Sequence, residues 1–154
     1  LTLAQWVYQH PPEKILSLAH IGPSGVDERL SLTLAYPGAR IASLNTAITT
    51  HTKQEAWISG NKGRIKIPQF WHGKEATLFT DNEEKTLHFP HQTNGYEYEI
   101  EEVQRCLAAG LIESPMMPWS ESLTIMSIID EIRGQIGLTY PTETCPTDTQ
   151  QGKL

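Results

Sequence analysis

The sequence predicts an α+β fold: an open, mainly antiparallel β-sheet with helices packed on one face. Three observations predict it. As far as Pro90, apolar and polar residues alternate in short runs separated by turn residues, the period of half-buried strands. Beyond Pro90, apolar residues recur at helical spacing in two stretches joined by a proline-rich loop. Strands and helices are segregated along the chain, the pattern of antiparallel hairpins followed by a helix pair.

The elements follow in order. LTLAQWVYQHPP opens as a short helix with a partial stripe of Leu3, Trp6 and Val7, stopped by Pro11–Pro12. It starts inside a helical pattern with no capping residue before it, so a piece of a longer protein is expected. Glu13 to Gly22 reads as a strand and PSGVD as a turn. In ERLSLTLAYP, Leu30, Leu32, Leu34 and Tyr36 fall on one face, with Ser31, Thr33 and Ala35 on the other. Pro37–Gly38 marks a hairpin turn, and Ala39 to Thr50 continues the sheet, Ser43, Asn45 and Ala47 alternating with Leu44, Thr46 and Ile48. The sheet therefore has a greasy face, expected under the helices, and a face rich in small and hydroxyl residues. QEAWISG and GRIKIP make a hairpin around Asn61–Lys62–Gly63. KEATLFTD and KTLHFP make another around Asp81–Asn82–Glu83–Glu84.

The first long helix is capped by Asn94, with Glu97 three residues on completing a capping-box-like pair. Tyr96, Ile100, Val103, Leu107 and Leu111 share one face, and Gly110 suits the left-handed position just past the end. The second helix is expected to cap at Ser120 and to bury Ile125, Ile128, Ile129, Ile132 and Ile136, with Leu123 and Met126 outside that stripe and Gly137 as its stop. Residues 142–154 read as a polar tail.

With 154 residues the chain is one domain able to bury a core, and its net charge of −6 argues against nucleic acid and against an anionic membrane surface. No apolar run is long enough to span a bilayer, and no signal peptide is visible. Cys106 and Cys145 do not make a disulfide framework, so a reducing compartment, the cytoplasm, is expected.

The residue patterns exclude several chemistries. No GxGxxG turn occurs, so no dinucleotide cofactor is expected to bind these residues. The six histidines show no zinc-finger or HExxH spacing, and no metal site is expected. Ser24 and Ser120 lack recognisable triad partners. Phe70–Trp71–His72 stands out because two aromatics follow Pro68 in a loop, where no strand period demands burial. Trp57, in mid-strand, and Trp119, before a helix, read as structural; Tyr98 points away from the first helix's stripe.

The run YEYEIEEVQRCLAAGLIESPMMPWSESLTIMSIIDEIRGQIGLTYP resembles the C-terminal end of the glucose–fructose oxidoreductase and inositol dehydrogenase-like family (Gfo/Idh/MocA), closest to its dimeric dihydrodiol dehydrogenase-like branch. AWISGNKGRIKIP, Ala56 to Pro68, resembles that family's strand–turn–strand signature, and the match in order and spacing runs from Leu1 to Pro141. The resemblance implies that residues 1–141 form the C-terminal substrate and oligomerisation domain of an NAD- or NADP-dependent oxidoreductase acting on a sugar, cyclitol or dihydrodiol. The cofactor would sit on an N-terminal Rossmann domain that this chain does not contain. No catalytic residue is then expected here; Glu13–Lys14 has the wrong order for the family's Glu-Lys-Pro motif. The resemblance implies substrate contact for Trp71 and Phe89, the alternative being that both cap the edge of the core; His91, just before the first long helix, reads either as reaching the substrate pocket of the intact enzyme or as a solvated loop histidine. The open sheet face with Ser31, Thr33, Ser43 and Asn45 is the implied surface for a homodimer or higher oligomer. The alternatives are a stand-alone dimerisation or scaffold module, or a small-molecule-binding module using Phe70 and Trp71.

Overall fold

A computed structural model describes residues 1–140; the polar tail predicted over 142–154 lies outside the described residues. The fold is α+β, and its strands form two antiparallel sheets. The chain divides into two compact units: residues 1–51 with 119–140, and residues 52–118.

The first unit holds helix α1 (Thr2–Tyr8), strands β1 (Lys14–Ile21), β2 (Asp27–Tyr36) and β3 (Arg40–Ala47), and, from the end of the chain, helix α3 (Trp119–Ile136). The strands run in the order β1-β2-β3, with Ser31 opposite Asn45 and Thr33 opposite Ser43. The predicted two-faced strand is what forms. Leu32, Leu34 and Tyr36 are buried with Ile15 against Ile128 and Ile132 of α3, while Leu1, Ala4 and Tyr8 of α1 pack on the same cluster. Thus α1 and α3 cover one sheet face. Helix α3 is also tied to the edge strand, because Gln135 donates from Nε2 to the Ile15 carbonyl at 2.9 Å and accepts from Ser17 Oγ at 2.7 Å.

Two local expectations need correcting here. The inward face of α1 is Leu1, Ala4, Gln5 and Tyr8, not Leu3, Trp6 and Val7; Trp6 is exposed. Gln5 can be buried because Tyr36 Oη donates to its Oε1 at 3.0 Å, which satisfies a polar atom that would otherwise oppose burial. Helix α3 begins at Trp119, one residue ahead of the expected Ser120 cap. Ser120 then lies in the first turn, where its carbonyl accepts from Thr124 Oγ1 at 2.8 Å.

The second unit holds β4 (Glu55–Gly60), β5 (Gly63–Pro68), β6 (Glu75–Phe79), β7 (Glu84–His88) and α2 (Glu97–Ala108). Its sheet runs β4-β5-β6-β7 through hairpins at the two predicted turns. At the first, Gly63 has φ 155°, and a Cβ there would fall 2.4 Å from the Phe79 carbonyl oxygen, so only glycine lets β6 pair so closely. Across that sheet Trp57 and Phe79 stack at 5.9 Å with the Arg64 guanidinium over both rings, at 5.2 and 5.3 Å, and Trp57 stays half-exposed.

Helix α2 keeps its predicted end but starts on a different cap and turns a different face inward. Its first residue is Glu97, and its N-cap is Tyr96, with no side-chain cap bond, in place of the expected Asn94. Asn94 Oδ1 instead accepts from the Tyr96 amide at 3.2 Å, a turn ahead of the helix, and the Glu97 carboxylate reaches back to the Thr93 and Gly95 amides at 3.0 and 2.7 Å. The Thr93 hydroxyl first, and then these amides, hold Glu97 down to a pKa of about 2. The helix ends in the expected glycine: Gly110 sits at φ 67°, its amide bonding Leu107 and the Leu111 amide bonding Cys106, a Schellman motif. The apolar stripe does not cover a sheet. Tyr96, Ile100, Val103 and Leu107 are 63%, 56%, 57% and 71% exposed, and the buried residue is Cys106. The reason is a polar clamp on the other flank. Glu102 accepts two bonds from Arg105 at 2.8 Å and one from the Ser114 hydroxyl, which fastens the segment after the helix onto that side. Arg105 and then Ser114 hold the Glu102 carboxyl down to about 2, while burial pushes the Cys106 thiol up.

Candidate functional site

The cluster singled out in the sequence assembles in the second unit, where the end of β5 meets the segment after β7. Past Pro68 the chain reverses at Gln69, whose φ of 45° is left-handed, and makes one 3₁₀ turn over Phe70–His72. The His72 amide closes that turn on the Gln69 carbonyl at 2.7 Å. The Phe89 amide donates to the Lys74 carbonyl at 2.7 Å, which carries the β6–β7 ladder one step on and lays Phe89, Pro90 and His91 beside the turn.

His91 is the hub. Its Nε2 lies 3.1 Å from the Gly73 carbonyl oxygen. A carbonyl only accepts, so Nε2 is the donor in this contact. Nδ1 is buried with no hydrogen-bond partner. Around it, the His72 ring stands edge-on at 4.6 Å and the Tyr98 ring at 5.7 Å. Gly95, at φ 96°, passes so close that a Cβ there would sit 3.0 Å from Nδ1.

Trp71 extends the cluster outward. Its ring lies 5.5 Å from His72 and is 66% exposed, while its Nε1 donates to Gln54 Oε1 at 2.6 Å. The hydrogen bond fixes the ring and leaves its face in solvent, an arrangement suited to stacking on a ligand's apolar face. Phe70 and Phe89 are also exposed. Next to the turn lies an open depression of about 280 Å³, with Gln69, His72, Lys74, Glu75 and His88 between Pro68 and Pro90. His88 Nδ1 stands 3.4 Å from Glu75 Oε2. The depression thus offers donors and one carboxylate acceptor for a hydroxyl-bearing ligand.

The structure therefore brings Trp71, Phe89 and His91 into one neighbourhood, with His91 facing inward and the two aromatics outward. Sequence reasoning missed Gln54, which orients Trp71, Gly73, whose carbonyl meets His91 Nε2, and Gly95, which leaves room for the His91 ring. Tyr98, read only as facing away from the stripe, serves this cluster.

The four residues of the implied oligomer surface, Ser31, Thr33, Ser43 and Asn45, are all exposed on the side of the first sheet away from α1 and α3. Ser31 Oγ donates to Asn45 Oδ1 at 2.6 Å. The face is less uniform than the sequence suggested, because β1 adds exposed Leu16 and Leu18 opposite Thr33 and Ser31, and β3 adds Ile41.

Among the described residues no group of three or more His, Cys, Asp or Glu side chains could hold a metal ion, and no helix is long and apolar enough to cross a membrane. The sheets are antiparallel, and no strand feeds a helix through a glycine-rich turn, so these residues do not fit a nicotinamide dinucleotide.

No family model matches the chain. It is 37% identical over 139 residues to trans-1,2-dihydrobenzene-1,2-diol dehydrogenase of Xenopus tropicalis, a match covering 84% of this chain and 42% of that protein. The human protein of the same name is 34% identical over 137 residues, covering 84% of this chain and 41% of the relative. The chain thus spans about two fifths of the length of the curated relatives it matches. Among solved structures, the aldose-aldose oxidoreductase of Caulobacter crescentus superposes with a TM-score of 0.73 at 16% identity, over 86% of this chain and 41% of that one. Biliverdin reductase of Synechocystis sp. PCC 6803, solved with biliverdin and NADP+, gives a TM-score of 0.64 at 12% identity, over 87% and 43%. At such identities these two structures speak for the fold alone.

Proposed function

This chain's homologues are dihydrodiol dehydrogenases of the Gfo/Idh/MocA type, and from that premise we propose that it is the C-terminal, substrate-side domain of an NAD(P)-dependent oxidoreductase acting on a CH–OH group of a dihydrodiol, sugar or cyclitol. The observation that carries the reading is the 34–37% identity to those dehydrogenases over 84% of the chain. In the intact enzyme the nicotinamide, held by an N-terminal Rossmann domain, would exchange a hydride with the substrate carbon. The residues of this chain bind and orient. Trp71 presents a fixed aromatic face to the apolar side of the ring, and Phe89 adds a second apolar wall. His91, through its bond to Gly73, holds the turn that carries Trp71. These residues hold no cofactor, so the isolated chain is inactive on this reading.

The test is turnover of trans-dihydrobenzenediol and of aldoses by the full-length gene product with NAD+ or NADP+. Trp71→Ala is expected to raise KM roughly tenfold with kcat little changed, the pattern of a lost binding contact. Absence of any nicotinamide-dependent activity or binding would sink the reading.

The same reading makes the exposed face of the first sheet the surface where two copies meet. Flat rows of small side chains allow close approach there, and Leu16, Leu18 and Ile41 supply apolar area around the polar centre.

A further inference from the structure

Among the described residues, three other than glycine hold a left-handed backbone: Gln9, Ala39 and Gln69. Two have local reasons. Gln9 closes the end of α1, where its Nε2 donates to the Trp6 carbonyl. Ala39 completes the turn between β2 and β3. Gln69 is different. At φ 45° and ψ 49° it holds a conformation that suits glycine or asparagine, directly ahead of the turn that carries Trp71. Its side-chain amide makes no hydrogen bond among the described residues, and Gln69 lines the open depression of about 280 Å³. A strained residue with no local bond to show for it points to a use outside its own segment. His72 lines the same depression. Its ring is held between Trp71, at 5.5 Å, and His91, at 4.6 Å, yet no hydrogen bond among the described residues reaches either ring nitrogen. A ring fixed by its neighbours, with both nitrogens open, is a contact organised ahead of binding.

We propose that Gln69 and His72 hold two neighbouring hydroxyl groups of the substrate ring, an inference that rests on the function proposed above. The chemistry of the pair chooses the ligand. A hydroxyl both donates and accepts. A glutamine amide and a neutral imidazole each carry a donor and an acceptor, so each matches both halves of a hydroxyl. A dihydrodiol, a sugar and a cyclitol all carry hydroxyls on adjacent carbons. The charged neighbours disfavour an ion. Glu75 and His88 stand 3.4 Å apart in the depression, and Lys74 lines it too. Carboxylate and ammonium together leave no single sign of charge to gather a free anion or cation. The apolar side of the ligand has its place beside the pair, because the exposed Trp71 ring adjoins His72.

The experiment is steady-state turnover of trans-dihydrobenzenediol by the full-length protein, with trans-1,2-cyclohexanediol and cyclohexanol as competing ligands. His72→Phe keeps a ring between Trp71 and His91 and removes both nitrogens. Gln69→Gly removes the amide and accepts the left-handed backbone. Each is expected to raise KM roughly five- to tenfold with kcat little changed. Each should also shrink the advantage of the diol over the mono-alcohol as a competitor, because a hydrogen-bonding site discriminates through the hydroxyl it pairs. His72→Gln, which restores a donor and an acceptor, should recover part of the loss. The melting temperature of Gln69→Gly should stay where it is, since relief of left-handed strain offsets the freedom glycine adds to the unfolded chain. Unchanged KM in both variants overturns the proposal. So does a loss that weakens diol and mono-alcohol equally, or one that His72→Gln does not recover, since either assigns the residues to packing. A wild-type protein without nicotinamide-dependent turnover sinks the oxidoreductase reading instead. Quenching of tryptophan fluorescence by the diol then reads the pair directly: quenching lost in both variants supports it, and a diol that leaves wild-type fluorescence unchanged overturns it.

Discussion

The three-stranded sheet of residues 14–47 and the four-stranded sheet of residues 55–88 start from the same local chemistry. Each is built of antiparallel hairpins with β-branched and aliphatic residues alternating with polar ones. Their fates differ. The first has a greasy face closed by α1 and α3, with Leu34 fully buried and Tyr36 at 2% exposure. The second has no fully buried aliphatic side chain; Leu78 and Leu87 remain exposed, β7 is exposed throughout, and the buried residue of the sheet is Thr77, whose hydroxyl meets Thr86 at 2.9 Å. The helix next in sequence after that sheet turns its apolar row outward. The difference lies in closure: the first region has one sheet face sealed by helices while its other face still exposes Leu16, Leu18 and Ile41, and the second leaves aromatic and aliphatic side chains at the surface on the turn carrying Trp71 and on the row of α2.

Paired substitutions put the contrast to a direct test. Leu34→Ala should cost about 3–4 kcal/mol, the range for a fully buried leucine, whereas Ile65→Ala in the four-stranded sheet should cost about half as much or less. Urea unfolding followed by circular dichroism gives both numbers. Equal costs would show that the second sheet has a core as closed as the first.

A smaller effect is expected at the buried hydrogen bond that the first region contains. Tyr36→Phe leaves Gln5 Oε1 without its donor and should cost about 1–3 kcal/mol. It also carries a pH signature. Burial first, then Tyr8 and Glu121, push the Tyr36 hydroxyl up from 10.0 to about 12. A phenol whose folded pKa is raised contributes stability that is fully present below the unfolded value and is lost as pH rises through the folded one. Wild-type stability should therefore fall between pH 10 and about 12, and the Tyr36→Phe profile should be flatter across that window. Identical slopes would mean that the hydroxyl is not buried in solution.

The smallest effect on stability belongs to the outer face of the first sheet. Ser43→Lys, at an exposed position, should change unfolding free energy by less than about 0.5 kcal/mol. If that face joins two copies, the same substitution should convert a dimer into a monomer in light scattering. A dimer that survives it would move the interface elsewhere.

Much of this architecture was readable in the residues. Pro37–Gly38, Asn61–Lys62 and Asp81–Glu84 marked the hairpins, because turns demand backbone conformations that few residue types accept. Gly110 and Gly137 marked helix ends for the same reason, both at φ 67°. Trp71 could be picked out because an aromatic pair in a loop has no strand period to explain it. Gln54 and Gly73 could not be picked out, because their roles depend on a side chain 17 or 18 positions away, and nothing local records such a pairing.

The sequence by itself determined which segments are strands and which are helices, the glycines at which the two long helices stop, and that β2 has one greasy and one hydroxyl face. These follow from backbone sterics and from periods of two and 3.6 residues, which act within a few positions. Tertiary structure alone decided that Gln5 goes inside and Trp6 outside, and that α2 is held by Glu102 and Cys106 while its apolar row faces solvent. Burial is settled by the partner a side chain finds across the fold. For Gln5 that partner is the Tyr36 hydroxyl and for Glu102 it is Ser114, and each hydrogen bond offsets a desolvation cost that a helical wheel counts only as a polar residue.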